Sequence, residues 1–201
     1  GGTAALLFYD LTRFSVDLDF DLLAIDQALP VFAIMTELLQ QFGTVKAQEK
    51  RYSLFFLLTY QDKQVGAQNI KVEINKRAFG SQFQIKQYLG ISMPVMVPAD
   101  MAAHKLVAMS ERIGKTNRDI FDVWFFLSNH WPVNQQIVTA RTGLSYHQFL
   151  NRCISDLEQL PNRGILAGIG ELLTAKQKAW AKTYLRDETV FLLKLERDKL
   201  A

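Results

Sequence analysis

The spacing of apolar residues changes near residue 97, and this change constrains the fold more than any other feature of the sequence. Before it, apolar residues alternate with polar ones in short runs, which is the spacing of half-buried strands. After Pro98 they recur every three or four residues, which is the spacing of amphipathic helices. We therefore predict an α+β fold, with an α/β core over residues 1–97 and a helical region over residues 98–201.

The first part contains short strand-like runs and two helix-like runs. Thr3 and Asp26 are candidate N-caps, and Gly43 is a candidate helix end. Residues 61–66 are polar and predict a turn. We predict helices over Ala4–Leu11 and Asp26–Phe42, and strands over Phe14–Asp21, Val45–Lys50, Tyr52–Tyr60, Ile70–Asn75, Phe83–Leu89 and Ser92–Val97.

The second part keeps a helical spacing with few interruptions. Gly114 separates the first two helix-like runs. The final run is long and rich in Lys, Leu and Glu. We predict helices over Ala99–Ile113, Asn117–Asn129, from Val133, over Tyr146–Leu160 and over Thr174–Leu200.

Composition narrows the classes of protein to consider. The net charge of +3 is a mild bias, and no apolar run approaches the roughly 18 residues needed to span a bilayer, so we expect no membrane partner. Cys153 is the only cysteine, which excludes an internal disulfide and a Cys-based zinc cluster and favours a cytoplasmic location. The chain opens on Gly1 and enters a helix-like run at once, so we expect further residues before it in the natural protein.

Residues 15–21 alternate polar and apolar side chains, with Asp17 and Asp19 on the polar side. Two carboxylates so placed on a strand repel each other unless a cation lies between them. Mg²⁺ or Mn²⁺ would suit them, because hard divalent ions take oxygen ligands and keep positions for water and phosphate. The pair therefore predicts a metal site, although a solvated acidic strand face has the same pattern.

Candidate phosphate ligands precede this strand. Gly1, Gly2 and Thr3 open a predicted helix, whose free N–H groups attract phosphate and whose glycines permit close approach. Arg13 and Ser15 lead into the acidic strand and are close enough in sequence to contact the same phosphate. A flexible cap and an exposed turn are the simpler interpretations of these residues.

Lys71 and Glu73 share one face of a predicted strand, with apolar residues on the other. Strand pairing could bring Glu73 beside Asp17 and Asp19 as a third metal ligand. There it could also accept the proton of an attacking hydroxyl. A surface Lys–Glu pair is the alternative.

The helices of the second part add further charges. Lys105 and Arg112 are seven residues apart and lie on nearly the same helix face. A lysine suits a triphosphate even without a P-loop, whose motif the sequence lacks. Asp119 opens the next helix, where Arg118 and Asp122 have the spacing of a surface ion pair.

Together these segments resemble one family in their order and spacing. Gly1-Gly2-Thr3, followed by residues 13–20, is similar to the first motif of AbiEii/AbiGii-type toxins, nucleotidyltransferase-like proteins of bacterial toxin–antitoxin and phage-defence systems. Residues 71–74, 100–112 and 118–122 resemble the second, third and fourth motifs. Glu73 stands where the family usually has Asp. The resemblance covers residues 1–127.

The resemblance implies a polymerase-β-like nucleotidyltransferase core with a mixed sheet, followed by a C-terminal helical region. It implies Mg²⁺-dependent transfer of a nucleoside monophosphate from an NTP, in some relatives to the 3′ end of tRNA, and a cognate antitoxin as partner. The roles it implies are metal binding by Asp17 and Asp19, activation of the acceptor by Glu73, triphosphate binding by Lys105, completion of the site by Asp119, and phosphate contacts by Gly1, Gly2 and Ser15.

Two other functions fit the same sequence. A nucleotidyltransferase of this fold could modify a small molecule such as an aminoglycoside, and an acidic pocket would favour that acceptor. A basic groove would instead favour RNA. A catalytically silent relative that binds a nucleotide or a partner protein is the third possibility, and the intact acidic set argues against it.

Overall fold

The computed structural model describes residues 1–62 and 66–200, which form two compact units. The first unit contains residues 1–10 and 14–78. The second contains residues 11–13 and the chain from Phe79 on. Residues 11–13 therefore belong to the second unit although the segments on both sides belong to the first. The domain boundary predicted between residues 97 and 98 stays a prediction.

The first unit is built on a four-stranded mixed sheet. Its strand order is β1-β4-β3-β2, in which β1 runs parallel to β4 and the other neighbours are antiparallel. Two helices, α1 (Gly2–Phe8) and α2 (Ala28–Gln40), complete the unit. The strands are β1 (Leu18–Asp21), β2 (Thr44–Glu49), β3 (Ser53–Asp62) and β4 (Gly66–Asn75).

One face of this sheet forms the core of the first unit. Alternate residues of β3 and β4 are buried there, as the period of two requires. Leu39 of α2 joins them, and Leu18 packs at the margin of the cluster. The residues of β4 between the buried ones therefore lie on the opposite face. The buried core residues are Leu39, Leu54, Phe56, Leu58, Val72 and Ile74.

Several local predictions for the first unit are wrong at the ends of elements. Gly1, not Thr3, is the N-cap of α1, and Gln27, not Asp26, is the N-cap of α2. Asp26 lies in a 3₁₀ turn and accepts a hydrogen bond from the side chain of its neighbour. The helix α2 ends at Gln40, before the predicted end. Gly43 has no left-handed conformation, and a Cβ there would collide with the Thr59 carbonyl of β3.

The first strand is shorter and less buried than predicted. Strand pairing begins only at Leu18, and Val16 and Phe20 are each 51% exposed rather than buried. The reason is that β1 is an edge strand, so only one of its sides is paired and the core ends beside Leu18. The predicted turn over residues 61–66 falls partly outside the described residues, and Gln61, Asp62 and Gly66 belong to strands.

The second unit contains a β-hairpin and a set of helices. The hairpin strands β5 (Phe83–Tyr88) and β6 (Ile91–Met96) pair with each other in a separate two-stranded sheet. The predicted helices are confirmed within a few residues, but the last one is interrupted by a π-helical stretch at Ala181–Leu185. The helices are α3 (Pro98–Arg112), α4 (Arg118–Ser128), α5 (Gln135–Thr142), α6 (Tyr146–Gln159), α7 (Ala175–Trp180) and α8 (Arg186–Asp198).

Three helices of the second unit, α5, α6 and α7, begin at residues whose side chains cap them. Asn134 caps α5, and both Ser145 and Thr174 form capping boxes with a glutamine three residues later. The apolar faces of α3, α4 and α6 are buried, and Phe121 and Trp124 of α4 contact Trp180. These contacts fix α4, which carries two buried aspartates.

Candidate active site

Acidic side chains gather on the sheet face of the first unit that is opposite its core. Asp19 of β1 lies in register with Glu73 of β4, so both side chains leave the same face of the sheet. Asp17 precedes β1 by one residue. The ammonium of Lys71 lies 3.6 Å from Asp17 Oδ2 and 3.5 Å from Glu73 Oε2. The structure thus brings Asp17, Asp19 and Glu73 to one face.

The start of α1 packs directly against this acidic face. A Cβ on Gly1 would overlap the Asp19 carboxylate, so glycine is required there for close approach. The Thr3 hydroxyl donates a hydrogen bond to the Asp17 carbonyl and lies 3.0 Å from the Ser15 hydroxyl. Gly1, Thr3 and Ser15 are therefore held beside the two aspartates.

Glu73 already has partners in the described part of the first unit. It accepts a hydrogen bond of 2.9 Å from the Ser53 hydroxyl and lies beside Lys71. Among residues 1–62 and 66–200, no three His, Cys, Asp or Glu side chains are arranged to hold a metal ion. Lys71 contacts two of the three carboxylates predicted as metal ligands, Asp17 and Glu73.

The donor set of Asp17 and Asp19 nevertheless fits a divalent ion. Mg²⁺ is commonly held by one or two carboxylates, with water and substrate phosphates completing its shell. The Asp17 side chain is 17% exposed and Asp19 is also exposed, so both carboxylates are accessible from solvent. Two carboxylates on one face, next to the N-terminus of α1, are the chemistry such an ion requires.

A second charged cluster lies within the second unit. Asp119 and Asp122 of α4 are fully buried, and each contacts the ammonium of Lys105, at 2.9 and 2.8 Å. Arg13 donates two hydrogen bonds to Asp122, at 2.5 and 2.7 Å. A guanidinium nitrogen of Arg112 lies 2.8 Å from Asp119 Oδ2 without an aligned hydrogen bond, so that contact is ionic. Charges alternate along the whole cluster.

The electrostatics of this buried cluster favour full ionisation. Burial alone would lower the pKa of Lys105, but the carboxylates of Asp122 and Asp119 outweigh it and the pKa is raised. Burial would raise the pKa of Asp122, but the charges of Lys105 and Arg13 hold it at about 2. Each buried charge is therefore stabilised by an opposite charge.

The structure thus divides the residues that the sequence singled out into two groups. The first unit holds the acidic face with its glycine turn, and the second unit holds the buried ion cluster. Asp122 does not stand in a surface pair with Arg118, as its spacing suggested, because it is buried against Arg13 and Lys105. The first group is Gly1, Gly2, Thr3, Ser15, Asp17, Asp19 and Glu73, and the second is Arg13, Lys105, Arg112 and Asp119.

Sequence reasoning gave too little weight to Lys71 and Asp122. Lys71 is two residues from Glu73 on the same strand face, so period two alone places its ammonium near the carboxylates. Asp122 is three residues after Asp119, which places both carboxylates on one helix face. That spacing was a usable signal for a paired acidic cluster.

The whole chain up to residue 191 matches the family model described as nucleotidyl transferase AbiEii toxin, type IV toxin–antitoxin system. The chain belongs to the AbiEii family. Its enzymes are nucleotidyltransferases, and the toxins act in type IV toxin–antitoxin systems. The resemblance seen in the motifs is therefore confirmed.

Solved structures show that the AbiEii-family chain has a nucleotidyltransferase fold. JHP933 from Helicobacter pylori is 16% identical, with a TM-score of 0.56 over 98% of this chain and 85% of its own. A second H. pylori protein is 20% identical, with a TM-score of 0.59 over 99% and 86%. The nucleotidyltransferase toxin MenT4 from Mycobacterium tuberculosis is 20% identical, with a TM-score of 0.53 over 100% and 76%.

Two further observations concern the AbiEii-family chain as a whole. No protein of curated function matches its sequence significantly. Within the described residues, the longest apolar helices are too short or too polar to cross a membrane.

Proposed function

We propose that this AbiEii-family enzyme uses Mg²⁺ to transfer a nucleoside monophosphate from an NTP to the 3′ end of tRNA. In this proposal it is a cytoplasmic toxin that a cognate antitoxin counteracts. Membership of a toxin–antitoxin family of nucleotidyltransferases supports the reaction class and the partner. The net positive charge of the chain is compatible with a nucleic-acid acceptor.

The arrangement of Asp17 and Asp19 carries this proposal. Both carboxylates lie on one face of the sheet, Asp19 packs against Gly1, and Thr3 ties the start of α1 to the Asp17 backbone. A metal ion held there would neutralise phosphate charge and polarise the phosphoryl group under attack. In this proposal the backbone of Gly1 and Gly2 and the Ser15 hydroxyl contact the phosphates.

Glu73 is the proposed group that receives the proton of the acceptor hydroxyl. Its carboxylate is in register with Asp19, and Ser53 and Lys71 fix its orientation. A proton moving from a 3′-hydroxyl to Glu73 Oε1 or Oε2 leaves the attacking oxygen more nucleophilic. Lys71, beside both Asp17 and Glu73, offsets the repulsion between these carboxylates.

Lys105 and Arg112 remain proposed contributors to nucleotide binding, and Asp119 remains a proposed catalytic residue. For Lys105 to bind a triphosphate, its ammonium must exchange a carboxylate partner for a phosphate oxygen. Arg112 is 34% exposed and its contact with Asp119 is less constrained, so it can accept a phosphate with less rearrangement. Arg13 is proposed to act through Asp122, since its guanidinium is buried there.

Incubation of the protein with each labelled NTP, Mg²⁺ and total tRNA tests the proposal. We expect label from at least one NTP to appear on tRNA in the wild type. Asp17→Asn and Asp19→Asn should each lower the rate at least 100-fold with unchanged melting behaviour. Asp21→Asn is the matched control, since Asp21 lies on the same strand face but pairs with Asn75.

Three outcomes would count against parts of this proposal. Full activity in either aspartate variant would mean that the substituted aspartate is not a metal ligand. Transfer to a small cationic molecule but never to tRNA would mean that tRNA is not the acceptor. Transfer that persists undiminished in a chelator would remove the metal dependence.

A further inference from the structure

The segment from residue 172 to residue 186 has an unusual charge composition. It contains Lys176, Lys178, Lys182 and Arg186 and no acidic residue. The segment covers α7 and the π-helical stretch. A helix without interleaved acidic residues gains no internal ion pairs to offset its own positive charge.

The three lysines of this segment are also unneutralised by the rest of the molecule. In the described parts of the chain, Lys176, Lys178 and Lys182 make no side-chain hydrogen bond or ion pair. Other surface cations of the second unit do have partners: Lys194 lies 2.7 Å from Glu158, and Arg152 lies 3.7 Å from Asp156. Lys115 and Arg163 of the described second unit also lack such a contact, but only this segment groups three such lysines within seven residues.

Packing fixes which side of the segment faces solvent. Trp180 contacts Trp124 at a ring distance of 4.2 Å, and Ala181 and Leu185 are buried. Lys176 and Lys182 are exposed, Lys178 is half-buried, and Tyr184 is 53% exposed. The segment therefore holds three cations and an aromatic ring on a helix that is anchored from behind.

The same segment touches the stretch of chain that leads to the acidic strand. Gln177, which stands between Lys176 and Lys178 in sequence, donates a hydrogen bond of 2.8 Å to the Thr12 carbonyl. Thr12 belongs to the second unit and precedes Asp17 by five residues. Among the described residues of the second unit, no other helix forms a hydrogen bond with Thr12.

Charge is distributed unevenly between the two units. The second unit has 16 basic and 11 acidic residues, a net charge of +5, whereas the first has 7 basic and 9 acidic residues, a net charge of −2. A polyanionic partner is therefore attracted to the second unit. At Lys176, Lys178 and Lys182 no carboxylate of the described residues competes with a polyanion for the ammonium groups.

We infer that Lys176, Lys178, Lys182 and Tyr184 form a surface that binds the RNA backbone of the acceptor. This inference rests on the proposed function and names the binding surface for its acceptor. Ammonium groups without carboxylate partners bind phosphates and release counterions from RNA. An exposed tyrosine offers a ring face on which an unpaired base can stack. A purely acidic polypeptide has no base to stack there.

The test measures tRNA binding without NTP, by titration at several salt concentrations. We expect the triple variant Lys176→Gln, Lys178→Gln, Lys182→Gln to bind at least tenfold more weakly at about 100 mM salt. Its plot of log affinity against log salt should be shallower by about 2, because up to three phosphate contacts are lost. Tyr184→Leu should weaken binding to single-stranded RNA by about fivefold or more.

A matched control removes the same charge elsewhere in the second unit. Arg152→Gln, Lys194→Gln, Lys199→Gln deletes three cations that already have carboxylate partners, and its tRNA binding should stay within about twofold of the wild type. In the transfer assay, the first triple variant should raise KM for tRNA and leave KM for NTP unchanged. Circular dichroism and melting of both triple variants establish that they fold.

The outcomes separate this surface from the proposed function. Equal tRNA binding by the first triple variant and the wild type overturns the surface even if transfer to tRNA occurs. Equal weakening by both triple variants also overturns it, since net charge alone would then explain the effect. If the wild type binds poly-glutamate of matched charge as tightly as tRNA, the surface does not select RNA. That result overturns the assignment to RNA. A wild type that binds no tRNA overturns both proposals.

Discussion

Five charged side chains alternate in sign through the interior of the second unit, from Arg13 through Asp122, Lys105 and Asp119 to Arg112. Removing two or three such charges from water is costly, and mutual attraction offsets the cost only when every member has a partner. The arrangement satisfies that condition, because each carboxylate contacts two cations. Deleting one member leaves its neighbours buried with fewer opposite charges to stabilise them.

Lys105→Met tests whether this residue is mainly structural. We expect the free energy of unfolding to fall by about 3–5 kcal/mol, because Asp119 and Asp122 would lose the cation they share. Lys115→Met is the control, and since Lys115 is exposed its effect should stay within about 0.5 kcal/mol. Urea unfolding measures both. A stable Lys105→Met protein with a raised KM for NTP would instead identify Lys105 as a nucleotide ligand alone.

The pKa of Asp122 predicts a loss of stability in acid. Its pKa is about 2 in the folded protein against an ordinary value of 3.8, so the unfolded chain takes up the proton first as the pH falls. The stability that Asp122 contributes is present above about pH 4 and is lost as the pH falls through 2. Asp122→Asn should be less stable near pH 6 and should show a flatter decline between pH 4 and pH 2.5.

Urea unfolding at a series of pH values compares the two proteins. A parallel decline of wild type and variant would mean that Asp122 does not carry a shifted pKa. On the alkaline side, the raised pKa of Lys105 has the opposite sign of effect. Its contribution is present below its ordinary value of 10.5 and is lost only as the pH rises through the raised pKa.

At this scale the sequence predicts only what local periodicity determines. The shared face of Asp17 and Asp19 follows from period two, and Glu73 joins it once β1 and β4 pair. Arg13 and Asp122 are 109 residues apart, and no local pattern relates a turn residue to a helix residue at that separation. The sequence therefore suggests phosphate binding by Arg13, where the structure shows a buried ion pair.

Among the elements, the hairpin of β5 and β6 has a strained turn. Leu89 and Gly90 join its strands, and both have a positive φ, of 48° and 80°. Glycine adopts that conformation readily, whereas a leucine there costs about 1–2 kcal/mol. Leu89 is also 86% exposed, so its side chain gains little from burial to offset this cost.

Leu89→Asn should therefore stabilise the protein. Asparagine tolerates a positive φ, and Asn-Gly is the preferred pair for such a turn. We expect a gain of about 1 kcal/mol in the free energy of unfolding, measured with urea. Gly90→Ala is the opposite test and should destabilise the protein by a similar amount. A loss of stability in Leu89→Asn would mean that the Leu89 side chain makes a stabilising contact.

Secondary structure is the level at which sequence reasoning succeeds best. The helices after residue 97 have amphipathic spacing and capping residues such as Ser145 and Thr174, and both signals are local. The predicted strand at Phe14–Asp21 is too long, because alternation does not show where pairing with β4 begins. The π-helical stretch at Ala181–Leu185 was not predicted, since its helical spacing is nearly unchanged in sequence.

For the whole molecule, the path of the chain matters as much as its elements. Residues 11–13 belong to the second unit, although the residues on both sides belong to the first. Leu11 is 1% exposed and Arg13 is 2% exposed, so both side chains are tightly packed in the second unit. The change in apolar spacing along the sequence gives no sign of it, because three residues are too few to show a period.

This excursion sets an order of events during synthesis. Arg13 leaves the ribosome long before Asp122, its partner in α4, and longer still before Gln177, which binds the Thr12 carbonyl. The stretch leading to Asp17 is thus held by contacts that exist only when most of the polypeptide has been made. We expect arrested nascent chains that end before α4 to be cut readily by trypsin after Arg13, and released full-length protein to resist. Early termination would then yield fragments in which Thr12 and Arg13 lack their partners in the second unit.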